Sequence, residues 1–234
     1  GMRATQSLAL SFSLVSALKL QSAGALDYAL YWRRCLLAAS AAKQVAETIV
    51  PIDKEAVFLA ALMQDLGMLA LDRVAPDLYK AMPCPQLHHS LLEAHEINRF
   101  GLGHTQVGQW MAREWGFSER MQLAVACSHQ PLAAEVSAGD RQFVGCVALG
   151  AELADLLLQA DREHCDLSAV AAMAEQWLAI DGMSLGNIVD SLALSIPAFE
   201  RIFDARLIDQ EKLQMISALA REKLAELRAM ASGE

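Results

Sequence analysis

Phe58-Leu59-Ala60-Ala61-Leu62-Met63-Gln64-Asp65-Leu66-Gly67-Met68-Leu69-Ala70-Leu71 is the stretch on which the fold turns. It is apolar on every side at helical spacing, yet polar residues interrupt it too soon for it to cross a membrane. That pattern predicts a helix buried in the middle of a helical domain. One amide, Gln64, and one carboxylate, Asp65, sit together in the run. An ionised carboxylate away from water needs a cation, a metal or a set of hydrogen-bond donors, or it neutralises. The competing reading is that Asp65 faces a wet crevice and ends the helix together with Gly67.

Composition extends the helical reading to the whole chain. Of 234 residues, 54% are hydrophobic but only 6% aromatic, so the apolar content is mainly Ala, Leu, Val, Ile and Met, which suits packed helices better than sheets. The net charge of −9 comes without any Lys/Arg cluster, which argues against binding nucleic acid. Five cysteines stand singly at 35, 84, 127, 146 and 165, as expected in a reducing compartment, where each reads as a small buried hydrophobe. The apolar run Leu8–Leu18 is too short and too polar to span a bilayer and lacks the features of a signal peptide. The expectation is a cytoplasmic protein with no membrane partner.

Working outward from the central run, the apolar spacing predicts a helix over 4–20 and a second from Tyr28 to about Val50, opened by Asp27. Asp53 is placed to cap the central helix. Residues 74–85 carry three prolines and no long period, and a helix over Leu91–Phe100 closes at Gly101-Leu102-Gly103. His104 opens the next helix and shares a face with Val107, Gly108, Met111 and Trp115. Gly116 stops it, and Ser118 caps a further helix running to His129, ahead of Pro131. Helices over 141–159, 167–180, 185–204 and 209–230 complete an all-α chain. The last has a charged face that reads either as solvated or as turned to a partner.

Arg34, Gln64, Asp65, His104, His129 and Glu152 lie on or at the ends of helices whose neighbours look buried, which makes them candidates for one site. His88, His89 and His95 form no second metal site by spacing, since residues six apart on a helix point to opposite sides; they are expected at the surface. No phosphate loop, nucleophile elbow or Cys–His motif is present.

Four stretches, in order, carry a resemblance to a known family. They are Tyr31-Trp32-Arg33-Arg34-Cys35-Leu36, then Phe58 to Leu71, then Glu96 with Phe100-Gly101-Leu102-Gly103-His104-Thr105-Gln106-Val107-Gly108 and Glu114-Trp115-Gly116-Phe117, and last Ser128-His129-Gln130-Pro131. Together they resemble the HDOD module, the HD-related output domain, a bacterial signalling branch of the HD phosphohydrolase superfamily. The resemblance spans about residues 1–160 and implies a compact HD-like helical core there, with 161–234 a helical extension expected to pack on it. The family's usual upstream lobe is expected to be missing.

In catalytic HD proteins the resemblance implies a metal held by a first His, a His-Asp doublet and a later Asp. In this chain the first position reads Arg34, the doublet Gln64-Asp65, and the later Asp is matched to Glu152. A guanidinium stays protonated and repels the metal whose ligand it replaces. The expectation is that Arg34 takes the metal's place beside Asp65, with Gln64 and His104 completing the hydrogen bonding, no bound metal and no cofactor; the alternative is that Arg34 reaches out to solvent.

The function this implies is a non-catalytic signal-transduction domain acting through a protein partner or a fused signalling domain, with a homodimer as one such contact. Two other readings stand beside it. One is a phosphohydrolase or phosphodiesterase retaining metal through Asp65, His104, His129 and Glu152; the other is a nucleotide-sensing pocket in which Arg34 binds an anion.

Overall fold

The computed structural model describes residues 25–80, 89–129, 136–159 and 167–232. The helix expected over 4–20 lies outside these residues, as do His88, Cys84 and Cys165. The described residues form eleven helices and no strand: α1 Tyr28–Glu47, α2 Lys54–Met63, α3 Leu66–Val74, α4 Asp77–Lys80, α5 His89–Phe100, α6 His104–Glu114, α7 Glu119–Ala126, α8 Ala138–Gln159, α9 Ser168–Leu178, α10 Gly182–Phe203 and α11 Gln210–Ser232. None is long and apolar enough to cross a membrane.

Local chemistry accounts for the helix starts. Asp27, Asp53 and Asp181 each accept a hydrogen bond from a backbone N–H in the first turn of α1, α2 and α10, satisfying a donor the helix itself leaves free. Ser118 does the same for α7. Asp72 is buried on α3 and ties down the approach to α1, accepting the N–H groups of Ala25 and Leu26 at 2.8 and 3.0 Å and the Tyr28 hydroxyl at 3.1 Å.

The central run is two helices where one was expected. Gln64 and Asp65 form a turn between α2 and α3, with Asp65 near φ −98°, ψ 12°. An all-round apolar pattern carries no phase, so the one sign of this corner is the polar pair itself, as in the reading where Asp65 ends the helix. The turn swings α3 against α6, while α2 packs between α1, α8 and α7. Gly67 lies at the α3–α6 contact, where an added Cβ would sit 2.0 Å from the His104 carbonyl oxygen and 2.7 Å from the Gly108 nitrogen. Only a residue with no side chain allows the two backbones so near, and that approach brings Asp65 beside the start of α6.

The core is centred on α1, whose fully buried Leu37, Ala38, Ala41, Ala42 and Val45 meet α8 and α2. Gly150 on α8 lets that helix settle onto Ala38 and Ala42. Downstream, α10 packs on α1 and buries Leu185, Ile188, Leu192 and Ile196; its Phe199 and Phe203 stack on Phe58 at ring centroid distances of 5.9 and 6.5 Å. Arg33 on α1 donates to the Leu207 carbonyl, and Lys212 on α11 donates to that of Leu158. Cys35, Cys127 and Cys146 are buried and free.

Candidate functional site

Residues from six segments meet around Asp65, which is completely buried at the α2–α3 turn. Arg34 reaches it from the middle of α1, His89 and His104 from the first positions of α5 and α6, and His129 from just beyond α7, while Asp155 approaches from α8.

The Arg34 guanidinium is 2% exposed and links two carboxylates. Its Nη1 donates to Asp65 Oδ2 and its Nε to Asp155 Oδ1 at 2.6 Å. Asp155 Oδ2 accepts the backbone N–H of His89 at 3.2 Å, which fixes the start of α5. Burial opposes the positive charge of Arg34, but Asp155 and Asp65 outweigh it and hold the group ionised. Burial likewise opposes ionisation of Asp65, and Arg34 outweighs that, holding its carboxyl well below the usual carboxylate range.

The other oxygen of Asp65 faces three imidazoles. His129 Nε2 is hydrogen-bonded to Asp65 Oδ1 at 3.1 Å; His89 Nδ1 lies 3.4 Å and His104 Nε2 3.7 Å from the same oxygen, both outside hydrogen-bond geometry. The rings stand edge-on, with centroids 4.9 to 5.7 Å apart. On the far side of His104, Nδ1 lies 2.7 Å from Glu96 Oε2, which also accepts the His104 backbone N–H at 2.7 Å, while Glu96 Oε1 accepts the Tyr79 hydroxyl. Burial pushes the pKa of His89 down to about 4, with Arg34 adding to the effect, and burial also lowers that of His129. Burial works against protonation of His104 too, but the Glu96 carboxylate outweighs it and raises its pKa.

Several expectations need correcting. Asp155, and not Glu152, is the α8 carboxylate that meets Arg34: it is buried and accepts from Arg34 Nε, while Glu152 is half-buried. Gln64 is buried, but neither atom of its amide has a hydrogen-bond partner among the described residues, so it does not help to satisfy Asp65. His104 turns its hydrogen bonding toward Glu96 and away from Asp65. His89, expected at the surface, is buried in the cluster, and His95 is half-buried on α5. Trp115, expected on the buried face of α6, is half exposed. The alternative in which Arg34 reaches solvent is excluded by its burial between Asp65 and Asp155.

These contacts bear on the divalent metal that the family resemblance implies. The residues at the family's ligand positions do not fit such an ion, because one is a guanidinium and it already holds both carboxylates.

The comparisons agree with this architecture. The HDOD domain family model matches residues 1–131. The fold resembles that of an HDOD domain protein of unknown function from Geobacter sulfurreducens, at 20% identity over 77% of this chain with a TM-score of 0.59, this chain spanning 63% of that protein's length. It also resembles a protein from Shewanella amazonensis SB2B, provisionally described as a phosphohydrolase, at 16% identity and a TM-score of 0.66, over 87% of this chain and 72% of that one. A third likeness is to the MmoQ response regulator of Methylococcus capsulatus str. Bath, at 26% identity and a TM-score of 0.52, over 66% of this chain and 58% of that one. No curated protein matches. With the family model covering more than half its length, the chain belongs to the HDOD domain family.

Proposed function

We propose that this chain is a non-catalytic regulatory domain of bacterial signal transduction, acting in the cytoplasm through contact with a protein partner or a fused signalling domain. The observation that carries the reading is Arg34 bridging Asp65 and Asp155, a permanent cation held where hydrolysis in this fold calls for an exchangeable one. Water activation needs a metal with an open coordination position, and a guanidinium offers neither a Lewis-acid centre nor a site for water. Family membership supports a signalling role, and one structural neighbour is a response regulator. Trp110 of α6, Trp115 just beyond it and Phe100 at the end of α5, about half exposed, supply the apolar side chains that a protein contact or a homodimer uses.

The test is hydrolysis of bis(p-nitrophenyl) phosphate and of nucleoside phosphates by the purified chain, in buffers containing Mn2+, Mg2+ or Fe2+. The expected result is no turnover above that of an Asp65→Asn variant. Turnover that this substitution abolishes would overturn the proposal in favour of a phosphohydrolase.

A further inference from the structure

Arg33 and Arg34 are neighbours on α1 with different surroundings. Arg34 is held by Asp65 and Asp155, whereas Arg33 is half-buried beside the segment that follows α10, its Nε donating to the Leu207 carbonyl oxygen at 3.1 Å. Arg33 makes no ion pair among the described residues, so its two Nη groups and its charge have no protein acceptor there.

That charge stands at a cavity of about 340 Å³ between α1 and the end of α10. The walls are apolar, with Tyr28, Trp32 and Leu36 contributed by α1 and Phe203 by the last position of α10. Three of these four side chains are aromatic in a chain that is only 6% aromatic. Trp32 Nε1 is buried with no hydrogen-bond partner among the described residues, a donor that the protein leaves unused. A concave apolar space of this size with a few polar groups on it is the common form of a small-molecule site.

The walls are fixed before anything binds. Phe203 packs against Phe58 and Phe199 at centroid distances of 6.5 and 6.4 Å, and the Tyr28 hydroxyl donates to Asp72 at 3.1 Å. The segment beyond α10 is pinned from two sides: Glu200 Oε1 accepts the N–H groups of Leu207 and Ile208 at 2.7 and 3.3 Å, and Arg33 holds the Leu207 carbonyl. Such preorganisation lowers the ordering cost of binding.

Charge and shape together point to a ligand class. Arg206, which also lines the cavity, is already paired with Asp209 at 2.9 Å, leaving Arg33 as the uncompensated cation among the described lining residues. One cation matches one negative charge, and the fork of Nη donors matches the two oxygens of a carboxylate. The aromatic walls favour a flat ring in edge or offset contact. We propose that the cavity between α1 and α10 binds a small aromatic carboxylate, its carboxylate on Arg33 and its ring against Trp32 and Phe203. The cavity shares no residue with the cluster around Asp65, and the site stands independently of the regulatory reading.

The test titrates 2-naphthoate into the full chain labelled with 15N and follows the indole N–H signals of its four tryptophans. The Trp32 signal, assigned by its loss in Trp32→Phe, is expected to shift and saturate at one ligand per chain, while those of Trp110, Trp115 and Trp177 stay in place. Arg33→Gln is expected to weaken binding about 10–100-fold, the range for losing a charged hydrogen bond, and neutral 2-naphthamide to bind more weakly than naphthoate by a similar factor. Ala29→Leu, at an exposed residue lining the cavity, keeps Arg33 and is expected to block binding with circular dichroism and thermal midpoint unchanged. Absence of binding at millimolar naphthoate overturns the site, as does binding that neither substitution weakens. Naphthamide binding as tightly as naphthoate, or decanoate binding more tightly, overturns the ligand class. Phosphoester turnover by the chain would defeat the regulatory proposal and leave this site standing, whereas failure to bind naphthoate would do the reverse.

Discussion

Arg34 has two carboxylates to satisfy and each depends on it, so its removal is more damaging than the loss of a single contact. Arg34→Met leaves Asp65 and Asp155 facing each other inside the protein, and breaking a buried pair in this way costs about 3–5 kcal/mol. Urea unfolding of the chelator-treated chain measures it. The expected result is a loss of that size, partly recovered when Asp65→Asn is added and one stranded charge is removed. A loss below about 1 kcal/mol would mean that Arg34 does not hold the site together. Arg34→Lys is expected to rescue little, because an ammonium cannot present the fixed fork that serves Nη1 and Nε at once. Asp65 is legible from the sequence because an acid in an all-apolar run has to be explained, and Arg34 because it stands where the resemblance calls for histidine. His89 is not legible: it follows a proline-rich stretch with no period, and its burial depends on Asp155 holding its backbone from 66 residues away. Glu96 and His104 left a faint trace, an acid and a histidine on either side of a Gly-Leu-Gly turn.

Helices come together in this protein where side chains are missing. Gly67 and Gly101 are both conspicuous glycines, but they answer to different physics. Gly101 has φ +81°, and a Cβ added there would have nothing within 4 Å, so Gly101→Ala meets only backbone strain of about 1–2 kcal/mol. At Gly67 a methyl group meets the backbone of α6, which cannot rotate away as a flexible side chain does. Gly67→Ala is therefore expected to exceed both the Gly101 variant and the ~1–3 kcal/mol usual for overpacking, as read by the denaturant midpoint. Equal losses at the two positions would show that α3 and α6 part without penalty. The helix starts at Asp27, Asp53 and Ser118 could be read from the sequence because capping is local chemistry. The corner at Gln64-Asp65 stood only as the competing reading in which Asp65 ends the helix, since a helix buried on all sides shows the same composition whether it runs straight or turns.

Beyond the segment matched by the family model, α9–α11 raise the question of how far the cooperative unit extends. The sequence reading expects these helices to pack on the core, although an amphipathic face does not by itself name what covers it. Here Phe58, which opens the central run, packs against both Phe199 and Phe203, whose rings lie 6.4 Å from each other, and α10 covers part of α1. We propose that residues 161–234 are an integral layer of the same folding unit. A chain ended after Gln159 is expected to bind the dye ANS and to lose its sharp thermal transition, since Leu36 and Phe58 lose their cover. A shortened chain that melts cooperatively at the original temperature would show that the layer is dispensable.

The partners of Asp65 are also far apart in order of synthesis. Its pairing with Arg34 spans 31 residues and with His129 64, while Arg34 must wait for Asp155 across 121. Each closure fixes a longer loop than the last, with an entropy cost that grows slowly with length. The ribosome has therefore delivered everything from Arg34 through Asp155 before the guanidinium can acquire its second anion, and until then the nascent centre is an open circuit of mismatched charge.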